Sequence, residues 1–136
     1  MKIDILAICT PIALSEYDDR LSPAEVLVWV NPTRQFLRER DDLMTGITSA
    51  SPEGQPISDD ALVPFNNAMM DWYARLWSKG ADPATHWTLN EVQELNETDP
   101  SLFRWLLKQS NVVMRDHREQ KKKASVTPLT RSPAAE

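Results

Sequence analysis

FNNAMMDWYARLWSKG, residues 65–80, decides the fold class. Its apolar residues Phe65, Met69, Trp72, Tyr73, Leu76 and Trp77 fall at i, i+4, i+7, i+8, i+11 and i+12. Residues so spaced share one side of a helix, so the pattern predicts a helix over 65–79 with one wide apolar stripe. Gly80 predicts its stop. The next stretch, HWTLNEV (86–92), carries a helix start. Thr88 is a capping residue, Glu91 three positions on completes a capping box, and Trp87 with Val92 can form the hydrophobic staple around it. A helix over 89–95 follows, with Leu89, Val92 and Leu95 on one face. From Pro100 to about Arg118 the helical period returns in Leu102, Phe103, Leu106, Leu107, Val113 and Met114.

Upstream, the prolines supply the punctuation. Pro23, Pro32, Pro64, Pro83 and Pro100 stand where helices are expected to begin, because proline lacks an N–H that the first helical position leaves unpaired anyway. Ser22, Asn31, Asp82 and Asp99 precede four of them as N-caps, and Ser22 with Glu25 makes another capping box. Val63 is no cap, so the third boundary falls either at Pro64 or near Ser58, where Asp59 and Asp60 suit the helix dipole. A short helix is expected over 23–30 through Val26, Leu27, Trp29 and Val30. Another is expected from Pro32 to Met44 through Phe36, Leu37, Leu43 and Met44, ending near Gly46. Ile3, Ile5, Leu6 and Ile8 fit either a short strand or an apolar arm.

The expected fold is therefore all-α, with about five to six short and medium helices. The expected layout is an N-terminal arm and helices over 1–45, a linker loop over 46–58, a C-terminal helical part over 59–119 and a disordered basic tail over 120–136.

Composition narrows the function. The 136 residues carry a formal net charge of -5, one Cys and two His. That excludes a disulfide scaffold, and one Cys plus two His cannot make a four-ligand zinc site, so no metal or other cofactor is expected. No apolar run reaches the ~18 residues of a spanning helix. The first residues lack a cleavage signature, which points to a cytoplasmic protein and no membrane partner. The charge is split: residues 1–114 hold 9 basic and 17 acidic side chains, residues 115–136 hold 6 and 3.

No residue pattern supports an enzyme. Cys9 has no base at a recognisable spacing from it, since His86 and His117 fit no nucleophile motif, and it reads as an ordinary half-buried thiol. Asp18/Asp19, Asp41/Asp42, Asp59/Asp60 and Glu91/Glu94 read as helix-end and solvated charge rather than acid–base pairs. A small DNA-associated regulator with a helix-turn-helix-like element is the alternative, with Arg104, Lys108 and Gln109 as its reading residues. An acidic body opposes it, because DNA affinity rests on phosphate neutralisation; no nucleic-acid partner is expected. The basic stretch 115–123 fits either a contact with an acidic surface or a solvated helix end, in which Arg115 and Arg118 suit the C-terminal dipole. Five tryptophans are many for this length, more than a small helical body is expected to enclose. Trp72, Trp77 and Trp105 are the candidate protein-interface residues, with at least one expected to reach an exposed groove.

Three features together resemble the tail assembly chaperones of long-tailed (siphovirus-type) bacteriophages. These are the small acidic helical body, the tryptophan-rich part FNNAMMDWYARLWSKG with HWTLNEVQELNETDPSLFRWLLKQ, and the run Lys121-Lys122-Lys123 before a low-complexity tail. The resemblance covers about 60–123. It implies a non-enzymatic factor that oligomerises, binds the tape measure protein and recruits tail tube subunits in the host cytoplasm, absent from the mature virion. It also implies that Lys121, Lys122 and Lys123 mark a programmed frameshift junction.

Overall fold

A computed structural model of the chain describes residues 6–49 and 55–131, without the side chains of 123–131. The elements are β1 (Cys9–Ala13), β2 (Glu25–Trp29), α1 (Arg34–Ser49), α2 (Asp59–Leu76), β3 (Trp77–Ser78), α3 (Leu89–Thr98) and α4 (Pro100–Arg131). Two 3-10 turns, Leu14–Glu16 and Asp19–Leu21, join β1 to β2. The fold is mainly helical, but it is not all-α. A three-stranded antiparallel sheet of order β1-β2-β3 completes it.

The largest correction falls on 23–30, which is strand β2 and not a helix. Val26, Val28 and Val30 are buried and alternate with half-buried Leu27 and Trp29, a period of two. β-branched side chains suit that pleated surface. The backbone of β2 pairs with β1 from Cys9↔Trp29 to Ala13↔Glu25. Ser22 therefore starts no helix; it closes the preceding 3-10 turn, its N–H donating to the Asp19 carbonyl at 3.2 Å. In the turn before it, Asp18 accepts from the Arg20 N–H at 3.0 Å and caps the short 3-10 turn.

Strand β1 starts at Cys9, just past the N-terminal apolar segment, so Leu6 and Ile8 precede the strand. Ile3 and Ile5 lie outside the described residues. Asn31, expected to cap a helix, instead fastens the start of the chain. Its Oδ1 accepts from the Ile8 N–H at 2.7 Å and its Nδ2 donates to the Leu6 carbonyl at 2.9 Å. The cap of α1 is Thr33, whose Oγ1 accepts from the Phe36 N–H at 3.2 Å. Helix α1 passes through Gly46 to Ser49. Of the expected linker 46–58, residues 46–49 are thus helical and 50–54 lie outside the described residues.

Helix α2 starts at Asp59, with Asp59 and Asp60 in its first turn, and holds Pro64 inside. It stops at Leu76, three residues before the expected 79. Trp77 and Ser78 leave it to pair with β2 in the register Leu27↔Ser78 and Val28↔Trp77. No helix begins at Pro83. The Asp82 carboxylate accepts from the Ala84 N–H at 2.9 Å, a turn built from the same side-chain chemistry as a cap. The chain is then drawn back to the sheet: Lys79 N–H donates to Thr85 O at 2.8 Å and Trp87 N–H to Trp77 O at 2.9 Å.

The capping box of α3 forms as read. Thr88 N–H donates to Glu91 Oε1 at 2.9 Å, and Glu91 N–H to Thr88 Oγ1 at 3.3 Å. Helix α4 begins at Pro100, with Asp99 accepting from the Leu102 N–H at 3.1 Å. Its backbone continues to Arg131. Of the expected disordered tail 120–136, residues 132–136 and the side chains from 123 on lie outside the described residues.

One core joins sheet and helices. Ile12, Val26 and Val28 meet Trp72, Leu76 and Trp77 of α2–β3, together with Val92 of α3 and Leu106 of α4.

Candidate functional site

The tryptophans divide by burial. Trp72 and Trp77 are both 0% exposed, so neither reaches a surface groove, which corrects the expectation that they form an interface. Trp29, Trp87 and Trp105 are half-buried. Trp72 donates through Nε1 to the Phe36 carbonyl at 2.7 Å and stacks on the Phe36 ring with centroids 4.5 Å apart. The Arg40 guanidinium lies over Trp72 at 4.9 Å, and that of Arg75 over Phe36 at 5.1 Å. Trp77 donates to the Ser110 Oγ at 2.9 Å, and Ser110 donates onward to the Leu106 carbonyl at 2.7 Å. Trp105 is half-buried, with its ring 5.5 Å from Tyr17. Lys121 and Lys122 lie exposed on α4, while the side chain of Lys123 is outside the described residues.

Of the residues considered for chemistry, Cys9, His86, Asp18 and Glu91 each have a partner in the fold. Half-buried Cys9 makes a long 3.7 Å contact from Sγ to the Ala81 carbonyl, and His86 Nδ1 lies 2.7 Å from the Trp87 carbonyl. Hydrogen bonds from the Arg20 side chain and backbone hold the Asp18 carboxyl down at about 2. Glu91 is also held low, first by the hydrogen bond from Lys79 at 2.8 Å and then by the Thr88 N–H. Both are ordinary consequences of cationic and N–H donors on an ionised carboxylate. Among the described residues no group of three or more His, Cys, Asp or Glu is placed to hold a metal ion. No helix among them is long and apolar enough to cross a membrane.

Two grooves among the described residues differ in chemistry. The first lies between α1 and α2 and encloses about 360 Å³, lined by Leu43, Ile47, Ala61, Pro64, Phe65 and Ala68 with Asp42 at its edge. Large apolar side chains on the same two helices are open to solvent: Met44 is 48% exposed and Val63 58%. The second lies between α1 and α4 and encloses about 450 Å³. Val30, Leu37, Val112 and Met114 supply its apolar lining, and Arg40, Lys108, Arg115 and Arg118 its cations. The basic character of 115–123 was legible in the sequence. The groove was not, because Arg40 and Leu37 reach it from a helix some 70 residues earlier.

Comparison with models of protein families, with curated proteins and with solved structures found no match for this chain.

Proposed function

We propose that this chain is a non-enzymatic tail assembly chaperone of a long-tailed bacteriophage. In this reading it acts in the host cytoplasm, self-associates, binds the tape measure protein, recruits tail tube subunits and is left out of the mature virion. The observation that carries the reading is the open apolar groove between α1 and α2. A tape measure protein is long and helical with apolar faces. Helix-in-groove recognition needs an unpartnered apolar channel flanked by polar charge to keep the free protein soluble. Leu43, Ile47 and Phe65 offer the channel, and Met44 and Val63, each next in sequence to a lining residue, are exposed on the same two helices.

The test is co-expression with the tape measure protein of the same phage. Wild type is expected to raise the soluble yield of that protein and to co-purify with it. Met44→Glu with Val63→Glu is expected to abolish both effects while leaving the circular dichroism spectrum unchanged, since both side chains are exposed. An unaltered soluble yield with wild type would defeat the reading. A second check lies in the codons of Lys121–Lys123. An A-rich slippery heptamer with an overlapping downstream frame is expected, and ordinary codons with no such frame count against the proposal.

A further inference from the structure

We infer that the groove between α1 and α4 is a docking site for an acidic amphipathic helix of a partner protein. The argument starts from uncompensated charge. Lys108 and Arg118 have no ion pair among the described residues. Arg115 has only loose contacts with its own helix, 3.6 Å to Asp116 and 3.9 Å to Glu119, and all three side chains are more than half exposed. Such pairs contribute little and are easily exchanged. Arg40 is held differently. It donates to Asn111 Oδ1 at 2.8 Å and rests over Trp72, so its guanidinium is positioned on the rim with no carboxylate partner among the described residues. On a protein of net charge -5, these four cations around one groove, three of them without an ion pair among the described residues, form a local field opposite to that of the whole.

The lining selects the kind of anion. Leu37 and Val112, both half-buried, put an apolar strip among the cations over the buried Val30, and no aromatic ring lines the groove. A nucleic-acid strand would need phosphate-spaced cations and stacking surfaces, and has no apolar edge to lay on this strip. An acidic amphipathic helix has both parts: Leu- or Ile-type anchors for the strip and flanking Glu or Asp for Lys108, Arg115 and Arg118. The spacing agrees. Residues 108, 111, 112, 115 and 118 follow one face of α4 over about 15 Å, enough for roughly three turns of a partner helix. This site is separate from the α1–α2 groove and does not depend on the tape measure reading.

Fluorescence anisotropy on the full chain tests it, with labelled designed peptides as probes. One peptide carries a Leu stripe flanked by Glu. A second keeps the Leu stripe and replaces Glu by Lys. A third keeps the Glu and scrambles the Leu positions. The first is expected to bind saturably, at least tenfold more tightly than either of the others. Arg115→Glu with Arg118→Glu is expected to weaken it at least tenfold. Arg34→Glu with Arg38→Glu, which reverses exposed cations outside the groove, and Met44→Glu with Val63→Glu are expected to leave it unchanged. Thermal unfolding of each variant confirms that the fold is kept.

Equal binding of the scrambled peptide would reduce the site to plain charge attraction and overturn the proposal. So would tighter binding of duplex DNA than of the first peptide. If sedimentation shows self-association that the Arg115/Arg118 reversal removes, the occupant is a second copy of this chain and the proposal falls. Absence of binding by every peptide also refutes it.

Discussion

The two parts of helix α4 make opposite uses of the same backbone. Up to Met114 the helix faces the core: Leu102, Phe103, Leu106, Ser110 and Met114 are buried at the one-turn and two-turn spacings of a single face. From Arg115 to Lys122 no side chain is buried, and the residues are mostly charged. The inner part stabilises the fold through apolar area and one satisfied polar pair. The outer part contributes little to stability, but continuity with the inner part holds its cations in a fixed line. Lys108, Val112 and Met114 of the inner part also line the groove, but Leu106 lies only in the core and Arg118 only at the groove, so substitutions at those two positions should each affect one task and leave the other nearly untouched.

The largest effect is expected at Leu106, which is 1% exposed where α4 meets the core. Leu106→Ala removes buried methyl groups and leaves a cavity. It should destabilise by about 2–5 kcal/mol, read as a lower midpoint in denaturant unfolding. If Arg118→Ala cost as much, the contrast between the two parts would be wrong.

Next is the buried polar pair. Ser110→Ala leaves the Trp77 indole N–H without an acceptor in a fully buried site, and a buried unsatisfied donor costs about 1–3 kcal/mol. Trp77→Phe combined with Ser110→Ala removes donor and acceptor together. The double-mutant cycle should show a coupling of opposite sign to the single losses. Strict additivity would mean that the 2.9 Å contact between Trp77 and Ser110 contributes nothing specific.

These energetic contrasts also explain what could be read from the sequence. The start of α3 was legible because all of its information is local: Thr88 and Glu91 lie within one turn and answer only to each other. The start of α4 at Asp99-Pro100 was legible for the same reason. Strand β2 was not. Its run Val26 to Val30 is apolar at every position, so neither the helical nor the strand period stands out, and one partner, β3, lies about fifty residues away. Trp77 fitted a helical stripe by spacing, yet its backbone pairs with Val28 and its indole with Ser110, both remote in sequence. Asp82-Pro83 looked like a helix start because a cap and an Asx turn use the same carboxylate-to-N–H bond. Of the candidate site, the cations at 115–118 were visible, whereas the apolar strip they border exists only once α1 packs beside α4.

A smaller effect tests whether exposed charge matters to stability anywhere in this fold. Glu91→Gln keeps the side-chain carbonyl that a capping box needs and removes the ion pair with Lys79, whose partners are 43% and 41% exposed. Because the folded state holds the Glu91 carboxyl below its ordinary value of 4.5, the stabilisation is complete above that value. It is lost as pH falls through the lowered folded-state value. Wild type should therefore melt slightly higher than the variant at neutral pH, and the two should converge in acid well below 4.5. High salt at neutral pH should narrow the gap as well. A gap that persisted in acid would place the effect in the cap rather than in the charge.

The smallest stability effect is expected at Arg118, and it is the most informative for the division of α4. Its side chain is exposed and makes no ion pair among the described residues. Arg118→Ala should change unfolding free energy by no more than about 0.5 kcal/mol, as for surface positions away from special features. The same substitution should weaken the acidic amphipathic peptide measurably and reduce the salt dependence of its binding, since one cation has left the rim of the groove. Leu106→Ala, measured where the variant remains folded, should do the reverse, with a large stability loss and little change in peptide affinity. If Arg118→Ala lowered stability and left binding alone, the outer part of α4 would be a structural element, and the charge on it would need another explanation.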